Sequence, residues 1–149
     1  MTESKSALYR EAILEHSRHP RNQGRLEAPD ARAVAHNPLC GDELEMMLAL
    51  AEGNIRELRY LARGCSIVIA SASLMSEAVT GQATARAAQL GRAFRAVIEG
   101  RAEALPAELA ACAPLEAVRQ RPSRIRCALL PWEALADCLS EDGDREAGG

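Results

Sequence analysis

No stretch of this 149-residue chain approaches the roughly 18 consecutive apolar residues that a membrane span needs. The opening segment, "MTESKSALYREAILEH", is charged and helix-like and lacks the apolar centre of a secretory signal. The expectation is a cytoplasmic protein with no membrane partner. No C-x-x-C pair occurs, so spacing alone assigns the cysteines no site. They number five (Cys40, Cys65, Cys112, Cys127 and Cys138), and an odd count without a signal argues against a disulfide framework. In a reducing compartment such cysteines more often bind metal or do chemistry, and here distant segments must come together to form any metal site. Aromatic residues are scarce: Trp132, Tyr9, Tyr60 and Phe94 are the whole set. Neither sign of charge dominates. A net charge of -3 and a pI near 5.7 exclude a chain-wide surface for nucleic acid or anionic lipid and leave room only for a local basic patch. Internal repeats and linkers are absent as well.

What is present suits one domain with its own core, because 48% of the residues are apolar. We read a single domain over residues 1–140 and a flexible tail over 141–149, where "EDGDREAGG" is polar and Gly-rich. "TESKSALYREAILEHSRH" is expected to be a helix capped by Ser6, with Leu8, Ala12 and Leu14 on its apolar face and Pro20 as its stop. "ELEMMLAL" and "IRELRYLA" alternate like strands, and "AEGN" between them signals a hairpin turn. "ARAVAHN" adds a third strand at one edge. Beyond Cys65 the pattern turns helical. "SIVIASASLMSEAVTG" is apolar all round, hence a buried helix closed by Gly81. "ATARAAQLGRAFRAVIEG" is amphipathic, and "LPAELAACAPLEAV" reads as short pieces broken by Pro106 and Pro114. "IRCALLPWEALADCLS" is the last helix, which Pro131 should kink unless it falls in the first turn. Strands first and helices afterwards predict an α+β fold: a three-stranded antiparallel sheet with helices packed on one face.

The chemistry gathers at segment ends. Cys40 and Asp42 flank Gly41, and residues i and i+2 of an extended segment point the same way. Glycine lets that loop turn tightly enough for sulfur and oxygen to face one point. Cys65 follows Gly64 where a strand gives way to a helix, and the positive end of a helix dipole favours a thiolate. Cys127 is expected near the start of the last helix, with Arg124 and Arg126 beside it to lower its pKa. Three thiolates and a carboxylate suit tetrahedral Zn²⁺, and the same soft donors suit an iron–sulfur cluster. Cys112 and Cys138 read as core filler, since free cysteine is usually a small buried hydrophobe. His16, His19 and His36 read as lone surface histidines. The arginines from Arg119 to Arg126 read as a solvated or partner-facing edge, since no aromatic residues interleave with them.

With these residues quoted, the chain resembles the U-type iron–sulfur assembly family, the proteins called IscU and SufU. The likeness rests on "LYREAILEHSRHPRNQG", "NPLCGDELEMML", "RGCSIVIASASLMSEAVTG" and "RPSRIRCALLPWEAL", which span most of residues 8 to 135. It implies the same three-stranded fold, with Cys40, Asp42, Cys65 and Cys127 as metal or cluster ligands. The long stretch between Cys65 and Cys127, Arg126 in place of a histidine, and the absence of an L-P-P-V-K segment place the chain nearer SufU. That likeness implies resident zinc, a cysteine desulfurase as partner, Cys40 as the persulfide acceptor, and Arg124 as a basic group near the site. Such a protein is sulfurtransferase-like rather than a stand-alone enzyme. The alternative is a scaffold on which a 2Fe–2S cluster is built and handed on. Val68, Ile69, Gln82 and Pro131 depart from the family's pattern.

Overall fold

The computed structural model describes residues 2–148, with side chains from 7 to 140. The expected tail over 141–149 lies outside the residues so described. In chain order the elements are α1 (Thr2–Arg18), β1 (Ala31–Asn37), β2 (Asp42–Ala51), β3 (Asn54–Arg63), α2 (Ser66–Val79), α3 (Thr84–Ile98), a 3₁₀ segment (Ala107–Gln120) and α4 (Pro122–Gly148). Among them, no helix is long and apolar enough to cross a membrane.

The three strands pair antiparallel in the order β1-β2-β3. Glu52 and Gly53 join β2 to β3 with φ of 55° and 81°. Two positive φ values in a row make the tight turn whose twist matches that of the flanking strands. Alternation then sorts the side chains. Leu44, Met46 and Leu48 of β2 are wholly buried, as are Ile55, Leu58 and Tyr60 of β3. These form the helix-facing side of the sheet. Met47, which the alternation would leave exposed, is also buried. Arg32 and Arg59 flank it in the ladder, and their aliphatic stems can cover it on the outer face.

Helices α2 and α4 cover the inner face. α2 is buried all round, as its composition implies, and three of its buried residues are serines: Ser71, Ser73 and Ser76. A buried hydroxyl needs a partner, and here each one ties α2 to a neighbour. Ser73 Oγ meets His16 Nδ1 of α1 at 2.7 Å and accepts the Arg21 N–H at 2.9 Å. Ser76 Oγ accepts from Asn22 Nδ2 at 2.9 Å. Ser71 Oγ donates to the Ala128 carbonyl of α4 at 2.7 Å and accepts from Trp132 Nε1 at 3.0 Å. Trp132 in turn stacks on Phe94 of α3, with ring centroids 4.3 Å apart. Burial lowers the His16 pKa, and the nearby Arg21 charge lowers it further.

Local expectations for α1 and for Pro114 need correction. α1 begins at Thr2, ahead of the expected Ser6 cap, and Leu8 is 68% exposed rather than on the packed face. The 3₁₀ segment consists of short pieces as expected, but its kink is at Leu109, with φ of -103° and ψ of 17°, while Pro114 lies buried within the second piece. Pro131 sits inside α4, which continues through it. Cys127 lies near the start of α4 as expected, in its second turn, and it is buried. Cys112 and Cys138 are buried in the core as expected.

The Ser71 link yields a prediction. Ser71→Ala leaves the buried Trp132 N–H without its acceptor and should cost about 1–3 kcal/mol in urea unfolding. Ser71→Ala with Trp132→Phe should cost less than the sum of the two single changes, because both ends of the bond are then removed. Simple additivity would contradict the coupling.

Candidate metal centre

The site forms where the ends of three segments meet. β1 ends at Asn37, and the Asn37 carbonyl accepts from Cys40 N at 3.1 Å and Gly41 N at 2.8 Å. Gly41 has φ of 74°, a conformation that a side chain rarely adopts, and it returns the chain into β2 at Asp42. This turn leaves Cys40 exposed and Asp42 buried, 5% accessible. At the far end of the hairpin, β3 stops at Arg63, and Cys65 becomes the N-cap of α2 with φ of -74° and ψ of 173°. Cys127 comes up from α4 beneath them.

Cys40, Asp42 and Cys127 each offer a ligand atom, and these atoms lie within 4.8 Å of one another. Cys127 Sγ donates to Asp42 Oδ2 at 3.5 Å, although the two residues are 85 positions apart in sequence. Donors on a tetrahedral zinc, with bonds of about 2.0–2.3 Å, stand roughly 3.6 Å apart. The separation of Cys127 Sγ and Asp42 Oδ2 is therefore that of two donors on one such ion. Cys65 is not among the three mutually close donors. It lines the same cavity of about 510 Å³ with Cys40, Asp42, Cys127 and Arg124, and it interacts with Cys127. Arg126 is exposed and does not line that cavity. His36 is exposed too, 3.9 Å from Glu43.

The electrostatics reverse one expectation. Cys127 was expected to ionise easily, yet burial, then the neighbouring Cys65 and Asp42, push its thiol up to about 12. Nearby arginines do not overcome loss of water and a facing carboxylate. Arg124 meanwhile is held more firmly protonated by Cys65 and Cys127. A set of acids crowded so that one keeps its proton at neutral pH lacks a positive charge at its centre. A divalent cation taking the place of that proton would satisfy it, so the donor set fits Zn²⁺.

Two contributors were not visible in the sequence as site residues. Gly64 has no side chain because none fits. A Cβ there would stand 2.9 Å from Asp42 Oδ1 and 3.2 Å from Val68 Cγ2. Asn37 is 2% accessible and neither atom of its amide has a hydrogen-bond partner. The ladder pairs it with Asp42, so its amide lies beside the carboxylate on the inner face. The Gly-Cys order at 64–65 was a signal for the first; nothing in composition marks the second. Gly64→Ala should displace the Asp42 carboxylate and weaken zinc binding by about 10–100-fold in competition with a chelator, a range typical of groups supporting metal ligands. An unchanged affinity would show that Asp42 moves freely.

Comparison with known proteins agrees with this architecture. The NifU-like N terminal domain family matches residues 8–138. The chain is 34% identical to the zinc-dependent sulfurtransferase SufU of Bacillus subtilis, over 91% of each protein. It is 30% identical to the iron–sulfur cluster assembly scaffold protein IscU of Streptococcus pyogenes, over 93% of this chain and 87% of the relative. The N-terminal NifU-like protein of Brucella abortus superposes with a TM-score of 0.84 at 26% identity, covering 91% of this chain and 94% of that one. With the three-stranded sheet, the helices on one face and the thiol cavity at its end already in place, the chain belongs to the NifU-like N-terminal domain family.

Proposed function

We propose that this protein is a zinc-dependent sulfur acceptor in iron–sulfur cluster assembly, taking persulfide sulfur from a cysteine desulfurase onto Cys40. One observation carries the reading. Of the three mutually close donors, Cys40 alone is exposed, at the lip of a cavity whose other donors, Asp42 and Cys127, are buried. A thiol there is held beside its partners yet can be reached by another protein. The Bacillus subtilis relative, named as a zinc-dependent sulfurtransferase, supports the choice of zinc and of transfer.

Zinc, when bound by Cys40, Asp42, Cys65 and Cys127, stabilises the thiolate forms of those cysteines at neutral pH. The chain's own residues do the rest. Asp42 and Cys127, fixed by β2 and α4, keep the floor of the site in place while the Cys40 turn stays open. The Cys40 thiolate attacks the terminal sulfur of the donor's persulfide. A new S–S bond forms at Cys40, the donor's S–S bond breaks, and the donor cysteine leaves as a thiolate. Arg124, at the same cavity, offers a fixed positive charge to the sulfur anions involved.

Cys40→Ala should abolish transfer of labelled sulfur from a cysteine desulfurase to this protein. Stimulation of the desulfurase equal to wild type in that variant would refute the assignment. The competing reading is a scaffold for a 2Fe–2S cluster, and it draws on the same soft donors and on the scaffold named in Streptococcus pyogenes. Protein purified without added iron separates the two. Near one zinc per chain supports transfer, whereas a brown protein with a visible charge-transfer band supports the scaffold.

A further inference from the structure

A second cavity adjoins the thiol site. It lies between α1, the start of α2, the end of the 3₁₀ segment and the start of α4, and has a volume of about 520 Å³. Tyr9, Ile13, Ile67 and Val118 supply an apolar floor, and Arg10 and Arg121 stand in its wall. Arg124 borders both this groove and the thiol cavity, so the two adjoin.

The charges around the groove are unbalanced. No Asp or Glu among the described residues lines it. Among the described residues, Arg10, Arg121 and Arg124 have no carboxylate partner, and all three are exposed. The arginines of the sheet contrast with this. Arg32, Arg56, Arg59 and Arg63 each pair with a glutamate. Arg18, Arg92 and Arg126 also have no carboxylate partner among the described residues; what sets the groove apart is that three such arginines line one apolar cavity in a chain of net charge -3. Leu39, one of two large apolar residues left exposed among those described, projects next to Cys40 at 81% accessibility.

We propose that this groove seats an acidic segment of the sulfur-donating enzyme, with an aliphatic or aromatic side chain in the apolar floor and carboxylates against Arg10 and Arg121. The proposal rests on the sulfur-acceptor reading and names the chemistry of the partner's contact. Its physical logic is that of steering and register. Unpaired cations attract an acidic partner and fix its orientation. Arg124, shared by the groove and the thiol cavity, brings the docked segment to the edge of the cavity that Cys40 lines. The net negative charge elsewhere on the chain disfavours other faces for the same acidic segment.

The test compares wild type, Arg10→Glu with Arg121→Glu, and a control carrying Arg18→Glu with Arg92→Glu. The control makes the same change in net charge at exposed arginines outside the groove. A cysteine desulfurase from the same organism is the probe, and two quantities are read: its equilibrium binding by interferometry and the transfer of labelled sulfur to Cys40. The groove variant should need at least about tenfold more protein for half-maximal binding at low salt. Its transfer rate at saturation and its zinc content should equal those of wild type, and its binding should lose most of its salt dependence. The control should bind like wild type. Equal binding by the groove variant and wild type would overturn the proposal, as would equal losses in variant and control. Self-association of the wild type, abolished in the groove variant while desulfurase binding is kept, would assign the groove to a second copy and also overturn it. If wild type binds the desulfurase through these arginines but takes no sulfur, the docking proposal stands and the sulfur-acceptor reading fails.

Discussion

The approach of Cys127 Sγ to Asp42 Oδ2, 3.5 Å across 85 positions of sequence, is the contact on which the rest of the site depends. It sets an acid against an acid in a place poor in water. Burial first, then Cys65 and then Asp42, push the Cys127 thiol up, so that without a cation it keeps its proton. The fold works to hold the two groups together regardless. The Asn37 turn delivers Asp42 into β2, Gly64 leaves room for its carboxylate, and Ser71 pins α4 one residue past Cys127. Effort spent in holding two acids face to face makes chemical sense when a cation comes to lie between them.

The same contact explains how exposure is divided. Asp42 and Cys127 are buried because sheet and helix clamp them. Cys40 is exposed because the chain between Asn37 and Asp42 turns outward through Gly41 at positive φ. One cluster thus contains both a rigid floor and an accessible thiol. Pro131 contributes in its own way. Having no N–H, it leaves the Cys127 carbonyl without the usual donor four residues on, and its ring crowds that carbonyl. The helix nevertheless continues, held there by Ser71 at the next carbonyl and by Trp132 stacked on Phe94.

Much of this was legible in the sequence. The alternation of "ELEMMLAL" and the turn at Glu52-Gly53 defined the hairpin, and the even apolarity of "SIVIASASLMSEAV" defined a buried helix. Cys40, Gly41 and Asp42 pointed to a converging thiol and carboxylate because glycine between them allows the tight turn that convergence needs. Cys127 was read as near the start of the last helix and lies in its second turn, since Pro122, not Ile125, opens α4. Its thiol pKa was misread. Arginines are near it in sequence, but burial and Asp42 are near it in space. Asn37, Gly64 and Ser71 act through neighbours up to 61 positions away, which no local pattern reveals.

The unpaired arginines beside the thiol cavity complete a consistent picture of a small acidic protein with one basic, partly apolar face. The central claim is that Cys40, Asp42, Cys65 and Cys127 close on one zinc. X-ray absorption at the zinc edge of the purified protein tests it most directly. The account predicts a four-coordinate ion with three sulfurs at about 2.3 Å and one oxygen at about 2.0–2.2 Å. A shell with two sulfurs or fewer, or an ion bound by nitrogen and oxygen alone, would contradict it.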